Sequence, residues 1–244
     1  MAPRPALPHG PKAARACARL VLARLLAALL AALLAGCAQA PAPPSGQGQL
    51  DAAPALRSAP AAADLEAVRA LRQAGRPEDA VAEANRLILR TPRQPQPFVE
   101  RGLSLALLGH MERALEDYRT ALMLDPRHAP ALLAQGDAFF LLDQPRAAEA
   151  SFTRAIQLAP DDPVAWINRG VARDEQGRHQ EAEADFTRAI ALDAGQATAY
   201  ANRGVARSQM GDVRGMCEDY GRACALGQCQ RLKDARAMDY CREP

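Results

Sequence analysis

The sequence predicts an all-α chain: an α-solenoid of five 34-residue helix-turn-helix repeats closed by a C-terminal capping helix. Three observations carry that expectation. Nearly half of the 244 residues are apolar but only 4% are aromatic, and the apolar share is mostly Ala and Leu, which favour helices where a sheet would want β-branched and aromatic side chains. The hexapeptide NRGVAR stands at Asn168–Arg173 and again at Asn202–Arg207, an offset of 34 residues. From Ala61 onward the chain divides into consecutive frames, 61–94, 95–128, 129–162, 163–196 and 197–230, without an insertion or deletion.

The first sixty residues stand apart from the frames. Arg4, Lys12, Arg15, Arg19 and Arg24 precede the unbroken apolar run Leu25–Ala35, with no acid among them. A basic segment followed by an apolar run of this length reads as a secretory signal, too short for a comfortable membrane-spanning helix. The run ends in LAGC, Leu34 to Cys37, which resembles the bacterial lipobox. That resemblance implies that residues 1–36 are a lipoprotein signal peptide and that Cys37 is acylated by palmitate-type chains as the first residue of the mature protein, several chains holding a membrane more firmly than one. Ala38 rather than Asp after the cysteine is similar to enteric sorting signals for the outer membrane, which implies a bacterial lipid-anchored protein facing the periplasm. Residues 37–60 complete the lipidated segment; they are rich in Ala and Pro and too poor in large apolar side chains to fold. We read them as a partly extended linker of up to ~3 Å per residue. Without the signal, 25 basic residues face 28 acidic ones, a net charge near −3, so a basic surface for nucleic acid is not supported.

Inside the frames each recurring position has a physical reason. Position 8 is Val68, Gly102, Gly136, Gly170 and Gly204; position 20 is Ala80, Ala114, Ala148, Ala182 and Met216; position 27 is Leu87, Ala121, Ala155, Ala189 and Ala223. Small residues at these places let helix A and helix B of one frame approach closely. Aromatics at position 4 (Phe98, Trp166, Tyr200) and at position 24 (Tyr118, Phe152, Phe186, Tyr220) are expected to fill the space between neighbouring hairpins. Gly75, Gly109, Gly177 and Gly211 at position 15 supply the turn between the helices, with Asp143 departing in the third frame. Pro92, Pro126 and Pro160 at position 32 end helix B.

These offsets resemble the tetratricopeptide (TPR) repeat over residues 61–230, and in bacterial form a TPR lipoprotein. The resemblance implies a groove lined by inward residues of the A helices, at positions 2, 5, 6, 9, 12 and 13. Here these include Asn168 and Asn202 at position 6, with Ile167, Val171, Asp174, Glu175, Val205 and Gln209 around them, and Leu133, Asp137, Phe140 and Leu141 from the third frame. Asparagines one repeat apart can hold an extended backbone through amide oxygen and nitrogen, although Asn is also common at this position for its own sake. The chaperone-type carboxylate clamp of the family needs lysines, and the repeats contain none. One regularity is the chain's own: Arg101, Arg169 and Arg203 at position 7 accompany Asp117, Asp185 and Asp219 at position 23. In the third frame both change together, to Gln135 and Ser151. An antiparallel hairpin sets the two positions level, so an Arg–Asp pair is expected in repeats 2, 4 and 5.

Cys217, Cys224, Cys229 and Cys241 have spacings that match no zinc site, and an exported protein meets oxidising conditions, so disulfides are the expected state. Cys217 and Cys224 lie two turns apart on one helix and cannot join. If residues 231–244 form a capping helix running back along it, the nested pairs Cys217–Cys241 and Cys224–Cys229 follow. No nucleophile, base and orienting group stand at useful spacing; His110, His128 and His179 fall in turns and loops. The reading is therefore a binding scaffold or adaptor with no enzyme activity, cofactor or metal, whose partner is an envelope protein or an extended peptide. An assembly factor for a pilus or secretion complex, or a structural spacer, are the alternatives from architecture.

Overall fold

A computed structural model describes residues 62–241; the signal segment, Cys37 and the linker lie outside them. Eleven α-helices and no strands make up the described residues. Five hairpins follow one another: α1 (Ala62–Gln73) with α2 (Pro77–Arg90), α3 (Pro95–Leu107) with α4 (Met111–Leu124), α5 (Ala129–Leu141) with α6 (Pro145–Leu158), α7 (Pro163–Asp174) with α8 (His179–Leu192), and α9 (Ala197–Gln209) with α10 (Val213–Ala225). The short α11 (Gln230–Ala237) completes the row. Each helix packs on its hairpin partner and on the adjoining hairpin, so the core is a chain of linked clusters and each hairpin depends on a neighbour for burial.

Local chemistry sets the helix ends. Proline at the first position opens α2, α3, α6 and α7, where its missing N–H costs nothing. Asp162 and Asp212 cap α7 and α10 by accepting from Val164 N and Gly215 N. All five position-15 residues lie in the left-handed region, Gly75, Gly109, Gly177 and Gly211 at φ 70–80° and Asp143 at 57°. The departing Asp143 thus keeps the turn, since a short polar side chain tolerates this conformation better than most.

The packing differs from expectation at position 24. Its ring lies first over the position-8 glycine of its own hairpin: a Cβ on Gly102, Gly136, Gly170 or Gly204 would overlap Tyr118, Phe152, Phe186 or Tyr220. The close approach of A to B is therefore an aromatic ring against bare backbone. Repeat 1 reverses the sizes, with Val68 at position 8 and Ala84 at position 24, both fully buried. The position-4 residue Trp166 does sit between hairpins, against Leu132, Ala155 and Ile156, and its indole N–H donates to Pro160 O.

At the far end α11 lays Ala235 and Leu232 on Met216 and Tyr220 of the last hairpin. Cys217 joins Cys241 with a Cα–Cα distance of 5.2 Å, and Cys224 joins Cys229. The helix covers part of the outer face of the last hairpin.

Candidate protein-binding groove

The Arg–Asp pairs form in all three repeats and are bidentate: Arg101 with Asp117, Arg169 with Asp185 and Arg203 with Asp219, at 2.6–3.0 Å. Each arginine also lies over the position-4 ring of its own repeat, Phe98, Trp166 or Tyr200, at 4.8–5.7 Å from the centroid. In repeat 3 all three members change together: Leu132 replaces the ring and Ser151 Oγ donates to Gln135 Oε1 at 3.2 Å. These triples tie the two helices of each hairpin together.

Two further slots link one hairpin to the next. Position 21 of one repeat meets position 11 of the following one. At the first two junctions both are apolar, Val81 with Leu105 and Leu115 with Phe139, all in one cluster. At the last two they are ions: Arg173 Nε donates to Glu149 at 2.8 Å and Arg207 Nε to Glu183 at 2.7 Å, and each arginine also reaches its own repeat's Asp185 or Asp219. Glu149 accepts from Arg178 and Gln176 as well. Burial alone would push Glu149 up, but the hydrogen bonds from Arg173, Gln176 and Arg178 hold it below the usual glutamate range. This network has a sequence signal, an acid and an arginine 24 residues apart in two successive repeats, which pairing within a single repeat does not reveal.

The second slot runs along the A helices, from position 9 of one repeat to position 6 of the next. At the first junction Glu100, 2% exposed, accepts from Arg69 at 2.8 Å and Arg72 at 2.7 Å and from Gln96. Burial pushes its carboxyl up, and the donors outweigh that and leave it lowered. At the second junction the slot is Leu103 with Ala134; at the third, Asn168 Nδ2 donates to Asp137 Oδ1 at 3.0 Å. Asn202, half-buried, has no side-chain hydrogen bond among the described residues.

The expected groove residues therefore divide. Ile167 is 7% exposed and packs with Phe186, Ala189 and Ala199, so it is core and not groove. Leu133, Phe140, Val171 and Val205 are half-buried and taken up by packing between hairpins. The asparagine pair is unequal, since Asn168 spends its amide donor on Asp137. What stays available is Asn202, Asp137, the exposed Glu175 and Gln209, and a pocket of about 270 Å³ between α1, α3 and α5. Leu103, Ala106, Leu107, Met111 and Leu141 form its apolar wall, Tyr118 its floor, and Arg72 and Asp137 its polar atoms. Leu107 and Leu141, both at position 13, are 63% and 68% exposed. Asp137 is open to solvent, yet the pocket walls displace enough water to push its carboxyl up to about 6. Among the described residues it has no ion-pair partner.

The family model of the middle TPR-like domain of cilia and flagella-associated protein 70 matches residues 62–193. The chain belongs to this TPR-like family. Solved TPR-fold structures agree in architecture. Pseudomonas aeruginosa pilF superposes with a TM-score of 0.66 at 17% identity, covering 72% of this chain and 83% of that one. TTC0263, a thermophilic TPR protein of Thermus thermophilus, gives 0.61 at 19% identity, covering 72% and 97%. YrrB, described as a TPR protein with an unusual peptide-binding site, gives 0.58 at 19% identity, covering 73% and 92%. At these identities the likeness is one of fold. No curated protein matches this TPR chain in sequence.

Proposed function

We propose that the protein is a non-enzymatic, lipid-anchored scaffold of the bacterial cell envelope that captures a partner protein through an extended segment laid along its A helices. The observation that carries this reading is the pocket between α1, α3 and α5, where the exposed Leu107 and Leu141 rim an apolar wall of half-buried Leu103, Ala106 and Met111. A TPR fold with a peptide-binding site in YrrB supports the class of partner. The lipobox-like LAGC ending at Cys37 supports the anchor.

A photo-crosslinking residue placed at Leu141 or Asn202 in intact cells is expected to trap the same protein from both positions. Trapping from neither, while Arg119 on the B helices traps a protein, would move the binding surface off the groove; trapping from none would favour a spacer. Radiolabelled palmitate is expected in the wild type and absent from Cys37→Ser.

A further inference from the structure

The groove reading says that a segment binds; the chemistry of the pocket says what that segment carries. Its wall is aliphatic, large enough at about 270 Å³ for one Leu, Met or Phe side chain, and open on the solvent side through Leu107 and Leu141. Among its lining residues Arg72 is the one cation, and it is committed to Glu100 at 2.7 Å. An acidic ligand therefore finds no free positive group. Asp137 is the reverse case, a carboxylate whose one hydrogen-bond partner is the neutral amide of Asn168. Farther along the same row Glu175 is exposed without a counter-ion, while Asp174 is held by His179 at 2.7 Å. The uncompensated charge on this face is negative, beside an apolar pocket.

We infer, resting on the groove reading, that the pocket seats an apolar side chain of an extended peptide whose neighbouring residue is Arg or Lys, with that cation docked on the Asp137 carboxylate. The specificity is opposite in sign to a carboxylate clamp. A positive charge next to Asp137 relieves the cost of holding that carboxylate among aliphatic walls, whereas a Glu in the same place adds like-charge repulsion. An anionic lipid surface is disfavoured by the same charge.

The test uses the full chain and three labelled, acetylated hexapeptides that differ only in the residue after a central Leu: Arg, Gln or Glu. Anisotropy at pH 7.5 is expected to rank them Arg, Gln, Glu, with about tenfold between the first and last. Asp137→Asn should bring the Arg-over-Gln preference close to unity, and Leu141→Ser should weaken all three. The groups facing Asp137 are Tyr118 from α4, Arg72 with Glu100, and Asn168 from α7. With its carboxyl near 6, lowering the pH to 5 leaves about a tenth of it ionised, so the Arg peptide should weaken to about the affinity of the Gln peptide. Asp137→Asn should lose that pH response while keeping His179. Equal binding of the three peptides with Leu141→Ser still weakening them overturns the cationic inference and leaves the groove standing. Insensitivity of every peptide to Leu141→Ser, together with no crosslink from Leu141 in cells, overturns the groove itself. Unchanged circular dichroism of each variant keeps a folding defect from imitating either result.

Discussion

The junction between repeats 2 and 3 and the junction between repeats 3 and 4 share one backbone plan and opposite chemistry. In the first, Leu115 meets Phe139 and Leu103 meets Ala134. In the second, the same two slots hold Glu149 with Arg173 and Asp137 with Asn168. A repeat lattice fixes which positions meet, and at these two junctions it accepts apolar side chains or polar pairs in the same slots. Repeat 3 faces both ways, and within it the internal Arg–Asp pair of its neighbours gives way to Gln135 and Ser151. The groove site lies at this change of chemistry, taking its aliphatic wall from one junction and its carboxylate from the other.

The comparison breaks most visibly if one slot is half converted. Leu115→Glu buries a carboxylate against Phe139 and should cost about 4 kcal/mol in urea unfolding of the full chain, read at the midpoint of the transition that includes α4 and α5. Adding Phe139→Arg should recover a substantial part if the slot tolerates either chemistry; no recovery would show that the apolar junction is shaped by packing alone. Next in size, Asp185→Ala leaves Arg169 and Arg173 without their shared carboxylate and should cost about 3 kcal/mol, against about 1 kcal/mol or less for Ser151→Ala at the equivalent position. Equal losses would mean that the ion pairs add nothing particular to their repeats.

Acid separates the junctions more gently. Glu149 is held below its ordinary 4.5, so its contribution is complete above that pH and is lost as the pH falls through the depressed value. Hydrogen exchange, corrected for intrinsic rates, should show α6 and α7 losing protection between about pH 5 and pH 3 before α4 and α5 do. The smallest effect is expected from Asn168→Ala, at most about 1 kcal/mol, because its bond to Asp137 is solvent-exposed.

Much of this fold is readable from spacing because a hairpin with a fixed turn determines which residues of its two helices are level. The left-handed position 15, the glycine at position 8 and the Arg–Asp pairs are all of that kind. Contacts between hairpins are harder, since their offsets depend on how one repeat lies on the next. Ile167 shows the difficulty: its position in the frame looks inward, yet the docking of α9 covers it. The Asp137–Asn168 bond and the Glu149–Arg173–Arg178 network arise likewise from docking, that of repeat 4 on repeat 3. The pocket is half visible in the sequence, as Leu107, Leu141 and Asp137 can be named from the frame, but Met111 and Tyr118 of α4 come to it only through the packing of one hairpin on the next.

A stack of identical units has no inherent stopping point, since the face that receives one hairpin would receive another. Here α11 occupies that face, and the Cys217–Cys241 bond bolts it in place. The cover is partial, since Met238 and Tyr240 beside the bolt stay 64% and 50% exposed and a cavity of about 570 Å³ remains between the cap and the last hairpin.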